Sequence, residues 1–121
     1  MDIHESGEDY LEAILRLIRK KGYARSTDVA ELVGVSKPSV SNATRILEER
    51  GYITFGDDHM LSLTESGLEV AERIYERHCQ LTKILMALGV SETVAEEDAC
   101  KMEHDISEEA FEKLTALIKD Q

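Results

Sequence analysis

Residues 33–40, VGVSKPSV, decide the fold because they separate two stretches whose apolar residues recur at helical spacing. Gly34 permits a tight turn, Ser36 can cap the helix that follows, and Pro38 suits its first turn. The pattern predicts one helix on each side of this turn, at residues 27–33 and 37–50. Two helices joined by a short turn containing glycine form a helix-turn-helix.

The next segment, YITFGDDHMLSLT at residues 52–64, has the pattern of a small β-hairpin. Ile53 and Phe55 alternate with polar residues, a Gly-Asp-Asp turn follows, and apolar residues resume from Met60 to Leu63. A helix-turn-helix followed directly by a hairpin is a winged helix, with the hairpin as its wing. We therefore predict a mainly α protein that contains this motif.

The remaining chain is predicted to be helical. One helix ends at Gly22 ahead of the motif, and a long helix runs from Thr64 to Leu88 after it. Two shorter helices follow, at residues 91–104 and 107–118, with Ser91 and Ser107 as their predicted N-terminal caps. A long helix after a winged helix commonly leads to a dimer interface. We predict a winged-helix DNA-binding domain at residues 1–63 and an all-helical dimerisation and metal-binding domain at residues 64–121.

Charge is distributed unevenly along the 121 residues. The net charge is −11, yet residues 19–54 carry seven basic and four acidic side chains, and the remainder carries 7 basic and 21 acidic ones. A basic segment joined to an acidic one suits a DNA-facing domain next to a cation-binding one. No apolar run approaches the roughly 20 residues of a membrane span. We expect a cytoplasmic protein with no membrane partner, whose two cysteines are reduced thiols.

The helix predicted at residues 37–50 is the candidate for reading DNA. Its polar face carries side chains that bind bases or phosphates, namely Lys37, Ser39, Ser41, Asn42 and Arg45. Asn42 suits adenine, and the basic residues suit guanine or phosphate. Asp57 and Asp58 at the tip of the wing would repel phosphate, so we expect no strong contact there beyond a role for His59. The partner predicted is double-stranded operator DNA.

A second group of residues has metal-binding chemistry. In EEDACKMEHDIS, residues 96–107, one helical face carries Cys100, Glu103 and His104, which offer sulfur, oxygen and nitrogen donors. Other candidate ligands lie on separate helices, namely Asp9, Glu12 and His78. Each residue alone has a simpler explanation, such as a helix cap, a solvated carboxylate or a core thiol. Spacing alone leaves both interpretations open.

Nearly the whole chain resembles the diphtheria toxin repressor and manganese transport regulator family of metal-dependent repressors. The matching stretches are EDYLEAILRLI, KGYARSTDVAELVGVSKPSVSNATRILEERGYI, LTESGLEVA, RHCQL and DACKMEHDIS, in family order. The resemblance implies a homodimeric repressor of metal-uptake genes in which Mn(II) or Fe(II) joins the winged helix to the dimerisation module. The short length is similar to that of the two-domain members.

The resemblance also implies a ligand set for one or two ions per subunit. The implied ligands are Asp9, Glu12, His78, Cys100, Glu103 and His104, with Glu103 as the bridge if two ions bind. Two positions depart from the short manganese regulators, which have a glutamate in place of Cys100 and an acidic residue in place of Thr82. Cys is found in iron-responsive members and in some manganese-responsive ones. Glu96 or Glu97 could substitute for the acidic residue at position 82.

The sequence leaves two alternatives to a metal-dependent repressor. One is a winged-helix regulator that senses oxidation of Cys79 or Cys100, or an organic ligand, without metal. The other is a metallohydrolase, which lacks support because the chain has no His-Glu-x-x-His helix, nucleophile elbow or phosphate-binding glycine loop. We therefore expect that the protein is not an enzyme.

Overall fold

The computed structural model describes the backbone of residues 5–119 and the side chains of residues 7–118. This part of the chain is mostly helical and contains one two-stranded antiparallel sheet. The elements are α1 (Glu5–Lys21), α2 (Ser26–Val33), α3 (Lys37–Glu49), β1 (Ile53–Phe55), β2 (Leu61–Leu63), α4 (Glu65–Ala87), α5 (Glu92–Asp105) and α6 (Glu108–Lys119). The predicted fold class, a winged helix-turn-helix followed by a helical module, is confirmed.

The turn between α2 and α3 has the chemistry that its sequence indicates. Gly34 adopts a left-handed conformation with φ of 82°, which glycine tolerates without steric cost. The Ser36 side chain accepts a hydrogen bond from the Ser39 backbone N–H at 3.3 Å and so caps α3. Apolar side chains of α2 and α3, including Val29 and Val40, are fully buried. The turn and the buried faces together fix the angle of α3.

The wing is anchored to the start of α2. In the hairpin, Ile53 pairs with Leu63 and Phe55 with Leu61. The Leu61 backbone N–H also donates to the Ala24 carbonyl at 2.7 Å, which extends the pairing beyond the hairpin. Between the strands, a short 3-10 turn at Asp57–His59 places Asp58 and His59 at positive φ. The hairpin is therefore held against the helix-turn-helix.

The first turns of α4 pack on the segment just before the wing. Thr64 Oγ1 donates to the Gly51 carbonyl at 2.6 Å and accepts from the Gly67 N–H at 3.1 Å. A side chain at Gly67 would collide with the Tyr52 carbonyl, so only glycine allows this close approach. These contacts place the start of α4 with the winged helix.

The described chain forms two compact units, one up to Glu72 and one from Arg73. They divide inside α4, whereas the predicted domain border at 63/64 coincides with the start of that helix. The difference arises because the Gly67 turn packs on the wing segment. The border between functional domains therefore stays a prediction.

The second unit has its own small core. Leu81 of α4, Ala99 of α5 and Phe111 of α6 are buried together. The predicted cap at Ser107 is confirmed, because its Oγ accepts from the Ala110 N–H at 3.0 Å. Ser91 occupies the capping position of α5, but its side chain makes no capping hydrogen bond. Within residues 5–119, no helix is long and apolar enough to cross a membrane.

Candidate functional site

Three of the predicted metal ligands meet in the second unit. His78 comes from the middle of α4, and Cys100 and Glu103 come from the last turns of α5. Their ligand atoms all lie within 4.8 Å of one another. His78 Nδ1 is 3.0 Å from Glu103 Oε2 and 3.6 Å from Cys100 Sγ. One imidazole therefore faces a carboxylate and a thiol at the same time.

The Glu103 carboxylate is the most buried polar group of this cluster. Its side chain is 0% exposed, and that of His78 is 8% exposed. Among the described residues, none donates a hydrogen bond to Glu103 Oε1, and His104 Nε2 lies 3.5 Å from it. Burying a carboxylate oxygen without a donor is unfavourable unless a cation compensates for the lost water. The cluster offers nitrogen, oxygen and sulfur donors, so these residues fit a divalent transition metal.

The same contacts determine the protonation of His78 in the metal-free protein. The hydrogen bond with Cys100 and then that with Glu103 raise the pKa of His78 from 6.5 to about 10, although burial opposes this rise. A proton on the imidazole compensates part of the negative charge around it. Metal binding to His78 would have to displace that proton, because a ligand imidazole must offer a lone pair.

Of the three remaining predicted ligands, His104 lies beside Glu103 in the second unit, and two belong to the first unit. Asp9 and Glu12 lie one turn apart on α1, where Asp9 is half-buried and Glu12 is buried. Arg16 Nη1 lies 3.8 Å from Glu12 Oε2, so a cation already stands near this carboxylate. The six predicted ligands are thus distributed over both units, with two in the first and four in the second.

Thr82 and the two glutamates that could substitute for an acidic residue at its position are less favourable as ligands. Thr82 Oγ1 donates to the His78 carbonyl at 2.7 Å, so its hydroxyl is committed to the α4 backbone. Glu96 and Glu97 are both exposed on α5. Their roles as substitute ligands stay predictions.

The predicted DNA-reading face is open to solvent. Its five residues are all exposed on α3, namely Lys37, Ser39, Ser41, Asn42 and Arg45. Arg45 donates to Asn42 Oδ1 at 2.9 Å and to Glu49 Oε1 at 3.1 Å. This network was not predicted. It restrains Arg45 and fixes the orientation of the Asn42 amide before any ligand is present.

Sequence reasoning missed one basic residue beside this face. A cleft of about 500 Å³ lies between the start of α2, α3 and the wing, and its lining includes Arg25, Ser41 and His59. Arg25 is exposed at the N-terminal end of α2, with its guanidinium 5.4 Å from the centre of the Tyr23 ring. The signal that could have found it is its place in the basic segment, immediately before the helix-turn-helix.

Comparison with known families accounts for both halves of the chain. Residues 2–59 match the model for the N-terminal DNA-binding domain of iron-dependent repressors, and residues 64–120 match the model for their metal-binding and dimerisation domain. The chain belongs to the iron-dependent repressor family. The family resemblance inferred from sequence is confirmed, and the chain carries a DNA-binding domain and a metal-binding, dimerising one. Which residues bind the metal and the DNA stays a prediction.

Individual relatives agree with this family. The chain is 35% identical over 112 residues to an uncharacterized HTH-type transcriptional regulator of Methanocaldococcus jannaschii, covering 91% of this chain and 90% of that one. It is 26% identical to T. acidophilum IdeR and 26% identical to the manganese regulator SloR. Each match has a TM-score of 0.83 and covers 98% of this chain and 55% of the solved one. The chain thus spans about half the length of these two solved proteins.

The exposed face of α3 leads to a prediction about base recognition. Asn42→Ala should weaken binding to the cognate operator by about 1–3 kcal/mol and relax specificity, because it removes a base-edge contact. Arg45→Ala should weaken binding to every sequence and flatten the salt dependence, because it removes a charge expected to face phosphate. It should also relax specificity in part, because the Asn42 amide loses the guanidinium that orients it. Fluorescence anisotropy with cognate and scrambled duplexes measures both effects. Glu48→Ala is the matched control, and unchanged affinity in both variants would exclude this face.

A second prediction concerns His78 in protein treated with chelator. Because its pKa is raised, protonation of His78 contributes to the free energy of unfolding. The contribution is complete below pH 6.5 and is lost as the pH rises through about 10. NMR titration of the imidazole should show a protonated ring at pH 8 in the wild type. In Cys100→Ala its pKa should fall, because the largest cause of the shift is gone, whereas Cys79→Ala should leave it unchanged. An ordinary titration near pH 6.5 in the wild type would contradict this account of the cluster.

Proposed function

We propose that this repressor binds operator DNA as a homodimer when Mn(II) or Fe(II) is bound, and that it represses metal-uptake genes. The observation that carries the proposal is the fully buried Glu103 carboxylate facing His78 and Cys100, with one oxygen that receives no hydrogen bond from the described residues. Such a site is unfavourable to build without a cation. Its position in the metal-binding and dimerisation domain links the cation to assembly.

The proposed ligand set comprises all six residues predicted from the sequence. His78, Cys100, Glu103 and His104 contribute from the second unit, and Asp9 and Glu12 contribute from α1 in the first. A bound divalent cation supplies positive charge that offsets their carboxylates. Ligands drawn from both units would couple the winged helix to the dimerisation module. The set would hold one or two ions per subunit, with Glu103 as the bridge if two bind.

Coupling of this kind is a population shift. Four of the six ligands carry or can acquire negative charge, so an empty site favours separation of Asp9 and Glu12 from the other acidic ligands. Cation binding favours the arrangement in which all six converge. A shift from about 1:99 to 99:1 requires the cation to bind one arrangement more tightly by about 5.5 kcal/mol. Several ligands acting together supply a preference of this size.

For DNA recognition we propose that α3 enters the major groove. Asn42 would pair with adenine, while Lys37, Arg45 and the two serines would contact bases or phosphates. The support is that all five side chains are exposed on one helix in the matched DNA-binding domain. Two copies of α3, related by the two-fold axis of a homodimer, would require a pseudo-palindromic operator.

Metal removal is the direct test of the repressor proposal. The full chain should bind promoter DNA in Mn(II) or Fe(II) under anaerobic conditions and release it on addition of a chelator, as measured by fluorescence anisotropy. A reductant alone should leave binding unchanged. Operator affinity that is equal with and without chelator would contradict metal dependence.

One alternative function is favoured by a specific observation. Cys100 is exposed and its Sγ lies 3.6 Å from His78 Nδ1, so its thiol is accessible to oxidants. A regulator that senses oxidation would respond to the reductant and not to the chelator. The same titration therefore separates the two functions.

A further prediction concerns the choice of metal. Oxygen ligands suit Mn(II), whereas the thiolate of Cys100 favours Fe(II), Co(II) and Zn(II), which already bind more strongly in the Irving–Williams order. Cys100→Glu should shift relative affinity toward Mn(II), and Cys100→Ala should weaken every ion, most strongly the softer ones. Competition titrations of the three proteins measure this. Identical affinities in all of them would show that the thiol is not a ligand.

A further inference from the structure

Arg77 is a buried basic residue that neither the DNA-reading face nor the ligand set uses. It precedes His78 on α4, and its side chain is only 8% exposed. Its Nη1 donates to the Glu103 carbonyl at 3.1 Å and to the Ile106 carbonyl at 2.8 Å. Its Nη2 donates to Glu108 Oε2 at 2.8 Å, and its guanidinium lies 5.4 Å from the centre of the Phe111 ring.

All of these partners lie where α5 ends and α6 begins. The last carbonyls of a helix have no partner within the helix and carry partial negative charge. The Arg77 guanidinium satisfies two carbonyls at the end of α5 and pairs with Glu108 in the first turn of α6. One side chain of α4 thus fixes the end of α5 and the start of α6.

Consecutive residues of α4 hold Glu103 at two points. Arg77 binds its backbone carbonyl, and His78 contacts its carboxylate at 3.0 Å. Cys100 lies less than one turn earlier on the same helix. A shift or rotation of α5 along α4 would therefore move the sulfur and the carboxylate together relative to the imidazole. Binding sites of this kind require their groups to be held within about 0.5 Å of the productive geometry.

We propose that Arg77 is a positioning residue of the metal centre, which keeps the Cys100 and Glu103 donors aligned with His78. The inference rests on the proposed function, since it assigns Arg77 a role toward the same cation. Core packing alone would be served by an apolar side chain of similar volume, because burying a charge gives no net gain in stability over such a residue. The forked geometry of arginine explains the choice, since it reaches two carbonyls and a carboxylate at once.

Co(II) is the probe that tests this role, because its ligand-field bands and its thiolate-to-metal charge-transfer band report ligand geometry. Arg77→Met in the full chain should bind Co(II) about 10- to 100-fold more weakly than the wild type, with altered bands. Arg77→Lys, which can reach fewer acceptors, should be intermediate. Glu108→Gln keeps both carbonyl bonds and should bind Co(II) with nearly the wild-type affinity and bands. Lys83→Met, at an exposed position of α4, is the matched control.

The outcomes separate this inference from the proposed function. A folded Arg77→Met protein with the Co(II) affinity and spectrum of the wild type would overturn the positioning role alone. If Arg77→Met does not fold, Arg77→Lys decides in the same way, and wild-type affinity and bands in that variant overturn the inference. A wild-type protein that binds no Co(II), Mn(II) or Fe(II) would overturn the proposed function together with it.

Discussion

The burial of the Glu103 carboxylate is the constraint on which the rest of the second unit depends. A carboxylate removed from water loses several kcal/mol of hydration in real proteins, and only close partners recover it. His78 provides one such partner at 3.0 Å, and it is itself adjacent to the Cys100 sulfur. The backbone of Glu103 is held in turn by Arg77. The middle of α4 and the end of α5 are thus arranged around one acidic side chain, and Arg77 links them to the start of α6.

The distribution of charge along the sequence explains how an acidic chain can carry a DNA-binding domain. The excess negative charge lies mainly outside residues 19–54, and the exposed basic residues of α3 lie within them. Under the proposed function, repulsion between the ligand carboxylates opposes their convergence, and a bound cation would reverse that repulsion. Negative charge on α3 would hinder DNA binding. The negative charge lies mainly elsewhere, and under the proposed function it makes the protein responsive to metal.

Much of the fold could be predicted from the sequence because its signals are local. Gly34, Ser36 and Pro38 each act within one turn of the chain, and the hairpin follows from alternation over a few residues. The division within α4 could not be predicted, since it depends on Gly67 packing against Tyr52, which lies fifteen positions earlier in the sequence. At Ser91 the sequence predicts a contact that the structure lacks. Ser91 occupies the capping position of α5, but its side chain makes no capping hydrogen bond.

The candidate site was only partly predictable for similar reasons. Helical spacing placed Cys100, Glu103 and His104 near one another, but the approach of His78 requires α4 to pack on α5. Arg77 was missed because arginine is usually a surface residue, and nothing local indicates that its guanidinium is buried against two carbonyls. The contacts of Arg45 with Asn42 and Glu49 were also missed. Their spacing indicates that these side chains are close enough to meet, but it does not indicate whether they form hydrogen bonds.

The most direct test of the central claim is calorimetric titration of Mn(II) into anaerobic, reduced wild-type protein and into Glu103→Gln, an isosteric change that removes the buried charge. Glu97→Gln, at an exposed position of the same helix, is the matched control. With all three proteins folded by circular dichroism, the account predicts Mn(II) binding to the wild type and the control, and affinity lower by about 100-fold or more in Glu103→Gln. Equal affinity in Glu103→Gln and the wild type would contradict the claim that this carboxylate is buried to hold a cation.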